Sequence, residues 1–172
     1  MIIGLSQGNQ PIASFNYGAK NYRRVAESFV RVLIYGFVFA MIGFLIFQLF
    51  PAQIHGLFGK GNDLYIEFGC LYFRRYMFMI GLFFIQPITS NTFTAIGKPV
   101  KGIFLSLTRQ VIFLIPTMLI FPLFWGIDGA MFAQPAADIL AITTTVIMII
   151  IEARTPEFRD QRGLLKEIFH RS

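Results

Sequence analysis

Long apolar runs broken by short polar connections set the pattern of this chain. A helix that crosses a hydrocarbon layer of about 30 Å needs about 20 mostly apolar residues. Residues 25–50 meet that test, with Glu27, Ser28, Arg31 and Gln48 near the ends and Pro51 as a stop. Residues 76–97 form a second span, entered through an aromatic and charged stretch over 64–75, and residues 99–125 and 127–151 form two more. Residues 1–17 are too short and too polar to cross alone, because Gln7, Asn9, Gln10 and Pro11 interrupt them. They read as the end of a helix whose beginning is missing, and nothing here has the layout of a cleaved signal peptide. The expected fold is therefore all-α and integral to a membrane. Four full transmembrane helices and one partial helix make a bundle over 1–152, and a separate tail covers 153–172.

Composition agrees with that pattern. Hydrophobic residues are 55% of the 172 and charged residues only 14%, against about 25% charged in soluble domains. Disorder, collagen and a disulfide scaffold are excluded, since large apolar residues abound and Cys70 is the single cysteine. The net charge of +6 raises the question of nucleic acid, but the basic residues lie at segment ends and the aromatics sit inside apolar runs. No nucleic-acid partner is expected.

The placement of Lys and Arg orients the chain instead, because cytoplasmic connections carry the excess. Lys20, Arg23 and Arg24 lie in one connection, with Arg31 just inside the span, and Lys98 and Lys101 lie in another. Arg154, Arg159, Arg162, Lys166 and Arg171 follow the last span, whereas the alternate connections hold Lys60 or no basic residue. These sides, including the C-terminus, are expected to be cytoplasmic. In the tail, Thr155-Pro156-Glu157 reads as a helix start. Leu164, Leu165, Ile168 and Phe169 then oppose Arg162, Lys166 and Arg171, as in a helix lying on a lipid surface. A frayed, solvated tail fits the same residues equally well.

Ionisable side chains deep in hydrocarbon cost on the order of 2.5–3.5 kcal/mol each, so every one asks for a partner or a role. Arg109 lies about 15 Å along its helix from Pro99, and Asp138 about 16 Å along the next helix from Ile127. A short turn at Trp125-Gly126-Ile127-Asp128 makes those helices antiparallel neighbours, so both side chains reach one depth and an intramembrane ion pair is expected. Such a pair serves as a gate or ion-responsive latch, or as a neutral strut between helices. The strut is favoured, because a carboxylate held by an arginine carries protons poorly.

Uncharged polar residues form stripes. Gln86, Ser90 and Thr94, with Asn91 beside them, share one helix; Gln134, Asp138 and Thr145 share another; Gln7, Gln10 and Asn16 mark the opening segment. A stripe either bonds helices together or lines a wet cavity. Three stripes, each near a helix-loosening proline (Pro87, Pro135, Pro11), favour a cavity. Phe83, Phe84 and Phe93 have the faces to stack on a flat cation, but lipid-facing positions are the expectation for them. No catalytic motif occurs: His55 and His170 are far apart, and no G-x-S-x-G, P-loop or H-E-x-x-H is present. Gly56, Gly59 and Gly61 around Lys60 read as an outer turn. No enzyme and no resident cofactor or metal is expected.

Three stretches taken together resemble the second half of a multidrug and toxic compound extrusion (MATE) transporter, in the MepA-like subgroup. They are Gln7-Gly8-Asn9-Gln10-Pro11-Ile12-Ala13-Ser14-Phe15-Asn16-Tyr17-Gly18-Ala19-Lys20 with Tyr22-Arg23-Arg24-Val25; Ala95-Ile96-Gly97-Lys98-Pro99 with Ser106, Arg109 and Gln110; and Gly126-Ile127-Asp128-Gly129-Ala130 with Ala133-Gln134-Pro135, Ala137 and Asp138. The resemblance implies twelve helices in two bundles, exporting small organic cations while H+ or Na+ flows inward. This chain would supply the end of the eighth helix and the ninth to twelfth, and its partner would be the missing N-terminal bundle. Sodium-coupled members carry an acid in the tenth helix, where Gln86, Ser90 and Asn91 stand here. Two other readings stay open: a stand-alone small membrane protein that self-associates or modulates a transporter, and a fragment of a lipid-linked precursor flippase.

Overall fold

The computed structural model describes residues 1–50, 53–54, 69 and 81–159. The expected outer turn at 56–61, Cys70, both histidines, the start of the 76–97 span and the amphipathic stretch beyond Arg159 lie outside the described residues. Helix α1 (Ile2–Gly18) continues through Pro11. It closes on Lys20, at φ 57°, where Asn21 N–H donates to Asn16 O and Lys20 N–H to Tyr17 O. That double bond is the left-handed C-terminal cap usually built on glycine. Helix α2 (Tyr22–Leu49) follows and buries Val25, Val32, Gly36 and Ala40, all on one face.

The described part of the 76–97 span is a turn over 81–84 followed by helix α3 (Ile85–Ala95). Pro87 sits in the first turn of α3, where its missing N–H forfeits no helical bond. Gly97, at φ 74°, caps α3 as Lys20 caps α1: Lys98 N–H reaches Phe93 O and Gly97 N–H reaches Thr94 O. Two residues later Pro99 opens α4 (Pro99–Leu107) at its first position, where the ring's fixed φ suits a helix start. Gly97-Lys98-Pro99 thus spells one helix's stop and the next one's start. α3 and α4 then approach closely at Gly102, where an added Cβ would lie 2.6 Å from Ser90 O.

The 99–125 span is not one regular helix. A π-helical segment, Thr108–Leu114, separates α4 from α5 (Ile115–Ala153). Pro116 explains its place: the ring has no N–H for Ile112 O and crowds that carbonyl, so the preceding turn widens. α5 is itself bent back at Gly126, whose φ of 57° and ψ of −134° suit only glycine. Gly129 there packs on the backbone of Phe121, Thr117 Oγ1 lies 3.3 Å from Ala133 O, and Arg109 meets Asp138. Each step toward the N-terminus on one arm is matched by a step toward the C-terminus on the other, as in an antiparallel hairpin. A short helix, α6 (Pro156–Arg159), ends the described chain.

The packing is inverted relative to a soluble domain. The buried positions include Ala13, Ala133, Ala137, Ala141, Ser6, Asn9, Thr89 and Thr145, while Leu119, Leu123 and Ile127 are exposed. Small and polar residues inside, with large apolar ones outside, are what helices packed in lipid require. The chain is an all-α membrane protein, with no strand among the described residues. Phe84 and Phe93 break the lipid-facing expectation: they are 5% and 4% exposed and anchor two core clusters, one with Val32, Ala40 and Ile88, the other with Val25, Ile96 and Leu105.

Candidate functional site

The structure brings Arg109 and Asp138 together across the hairpin. Arg109 Nε and Nη2 donate to one oxygen, Asp138 Oδ1, at 3.0 and 2.9 Å. Gln134 Nε2, one turn earlier on the same arm, makes a long 3.4 Å contact with Asp138 Oδ2. The guanidinium also lies 4.5 Å above the ring of Phe83, so that face holds the protein's own cation and is neither lipid-facing nor open to a ligand. Both charged side chains are largely buried, at 17% and 9% exposure. Two charges removed from water are tolerated only when each is well met, and here each is. Arg109 sits in the π-helical segment, a distortion that helices commonly carry at functional positions.

The uncharged stripes divide into two seams. Asn91 faces α1: its Nδ2 donates to Ser6 Oγ at 2.8 Å and its Oδ1 accepts from Gln10 Nε2 at 3.1 Å. Ser90, one residue earlier, faces α4 instead, donating to Gly102 O at 2.8 Å and sharing a 3.0 Å bond with Ser106 Oγ. Thr94 bonds back to Ser90 O and Thr145 to Ala141 O, each within its own helix. Gln86 is buried at 7% exposure. Gln7 is exposed, and Asn16 donates to Ile12 O of its own helix, so neither joins the Gln10–Asn91 contact. Two buried oxygens, Asn9 Oδ1 and Thr108 Oγ1, have no protein partner and are places for bound water. Among the described residues no three His, Cys, Asp or Glu side chains converge as a metal site would need.

A second charged cluster, not foreseen from the sequence, closes one end of the bundle. Lys98 Nζ donates to Glu152 at 2.6 Å and to Glu157 at 2.9 Å, and Lys101 Nζ donates to the other Glu152 oxygen. Tyr17 O–H donates to Glu157 at 3.0 Å, and Tyr22 packs edge-on against Phe158. Five helices, α1, α2, α4, α5 and α6, and the α3–α4 turn meet here. The only trace in the sequence is the pair of acids flanking Thr155-Pro156, and no spacing rule links them to Lys98.

Burial works against the Lys98 ammonium, yet the hydrogen bonds it donates to Glu152 and Glu157 hold its proton more tightly than in an ordinary lysine. The Lys98 hydrogen bond, against a smaller effect of burial, keeps the Glu157 carboxyl below the usual carboxylate range, with Tyr17 assisting. A lowered folded value means the contact adds stability above the ordinary glutamate range and loses it as pH falls through the folded value. We therefore expect α6 to stay docked at pH 7 and to loosen below about pH 4. Hydrogen-exchange protection at 155–159 checks this, and Glu157→Gln should show the low-pH protection already at pH 7.

Comparison with known proteins follows the same outline. The MatE family model matches residues 1–120. The chain belongs to the MatE family. A structure described as the MATE multidrug transporter DinF-BH is 31% identical, with a TM-score of 0.84. The match covers 91% of this chain and 34% of that one. A second, the inward-facing conformation of a multidrug resistance MATE family transporter of the MOP superfamily, shares the fold at 16% identity and a TM-score of 0.79, over 88% of this chain and 35% of that one. No curated protein matches. This MatE-family chain thus spans about a third of the length of the transporters it superposes on.

Proposed function

We propose that the chain forms part of the second helix bundle of a bacterial multidrug antiporter, exporting small organic cations against an inward flow of H+ or Na+. The observation that carries this reading is the 31% identity to a multidrug transporter over 91% of the chain. In this reading α1 ends the eighth helix, α2 to α5 correspond to the ninth to twelfth, the member is MepA-like, and the Lys98–Glu152 end faces the cytosol of the inner membrane. Arg109–Asp138 acts as a strut rather than as the coupling site, because its carboxylate is already met by Arg109. Gln7, Asn16, Gln86 and the exposed Gln134 are the candidates for a wet surface, while Gln10, Ser90 and Asn91 are spent on contacts between helices.

Alternating access works by rocking one bundle against another around a central site. Cells expressing this chain with the first bundle of a related transporter should therefore expel ethidium faster than vector controls, and cells with the chain alone should not. Efflux from the chain alone, or none from the pair, would contradict the export reading.

A further inference from the structure

The exposed face of α2 changes character along its length. Arg24 and Arg31, seven residues apart, and Tyr35, four further on, fall on one helical stripe and are all exposed. The same stripe continues as Val38, Ile42 and Leu49, at 48%, 50% and 66% exposure, while the opposite face packs into the core. Arg31 stands about 13 Å along the helix from its start and just inside the apolar run. Neighbouring Arg23 is paired with Glu27 at 3.1 Å, but neither Arg24 nor Arg31 has an acidic partner among the described residues. An exposed arginine at the edge of an apolar run calls for an anion, and its side chain leans toward the helix N-terminus, where the run begins.

We propose that Arg24 and Arg31 clasp the phosphate of an anionic phospholipid, whose acyl chains lie along the Val38–Leu49 part of the same face. Charge and shape both favour this occupant: a guanidinium pair meets phosphate oxygens well, and the apolar stripe starts where acyl chains would. The Tyr35 ring marks the boundary between the two halves, as aromatic side chains do at membrane interfaces. An acidic side chain from another segment of the transporter is the competing occupant, and it predicts no lipid preference.

The test uses the purified 172-residue chain in neutral detergent, with native mass spectrometry and thermal melting after addition of phosphatidylglycerol, phosphatidylcholine or inorganic phosphate. Phosphatidylglycerol should be retained and raise the melting temperature, while the other two should do neither. Arg24→Gln/Arg31→Gln should weaken retention about thirtyfold, from two basic contacts at a charged surface. Arg154→Gln, an exposed arginine at the far end of α5, should leave it unchanged. Arg24→Lys/Arg31→Lys keeps the charge and should keep the lipid, which separates loss of the site from loss of the fold. Equal retention of phosphatidylcholine, stabilisation by free phosphate, or unchanged retention in the double glutamine variant would overturn the proposal.

Discussion

Gly129→Ala is expected to cost most of the folded yield of the protein. A Cβ at that position would sit 2.2 Å from Phe121 O and 2.5 Å from its carbonyl carbon, with Pro122 N at 3.0 Å. All three atoms are backbone, so no side chain can swing aside and the two arms of the hairpin must part. Proline sharpens the fit, because its nitrogen bears no hydrogen and the glycine can rest directly against that peptide. Overpacking of this kind costs about 1–3 kcal/mol where neighbours can relax, and more where backbone blocks the way. Gly43 supplies the control: it lies inside α2 with nothing within 4 Å of an added Cβ. Gly43→Ala should be neutral or stabilising by up to about 1 kcal/mol through helix propensity. The monodisperse fraction after detergent extraction, with the melting temperature of what remains, checks both variants.

Much of this architecture is written locally in the chain. The hairpin follows from two apolar runs and a glycine between them, and the α3–α4 corner follows from Gly97-Lys98-Pro99. Depth arithmetic alone put Arg109 opposite Asp138, because helical rise is nearly constant and a short turn fixes the register. The widened turn at Thr108–Leu114 was not legible, since Pro116 announces a loosened helix but not which carbonyls change partner. The stripes divide for a related reason. Adjacent residues on a helix point about 100° apart, so Ser90 and Asn91 serve different neighbours, and a polar stripe in sequence became two seams in space. Nor could periodicity tell Phe84 and Phe93, which fill the core, from lipid-facing phenylalanines, because lipid and protein interior are equally apolar. The Lys98–Glu152–Glu157 cluster joins residues more than fifty positions apart and leaves no local signature.

Asp138→Asn should carry the second large effect. The change keeps the shape of the side chain but leaves the Arg109 charge facing a neutral amide, beside the Phe83 ring and Gln134. Stranding one member of a buried pair costs about 3–5 kcal/mol. For a membrane bundle that margin is the difference between a sharp melting transition and aggregation on extraction. Arg109→Lys should also fall short, since a single ammonium cannot supply both the planar stacking on Phe83 and the paired donors to Asp138 Oδ1. Removing both charges differs in kind, because two neutral amides at 109 and 138 can bond to each other with nothing left uncompensated.

The central claim is that charges buried within the membrane are spent on one another, Arg109 on Asp138 before all else. The double-mutant cycle of Arg109→Gln and Asp138→Asn, read as melting temperature in one detergent, addresses it directly. The account predicts that the double variant melts above the Asp138→Asn single variant, so that the two losses are far from additive. A double variant that melts no higher than the worse single variant, with the two losses simply adding, would contradict it.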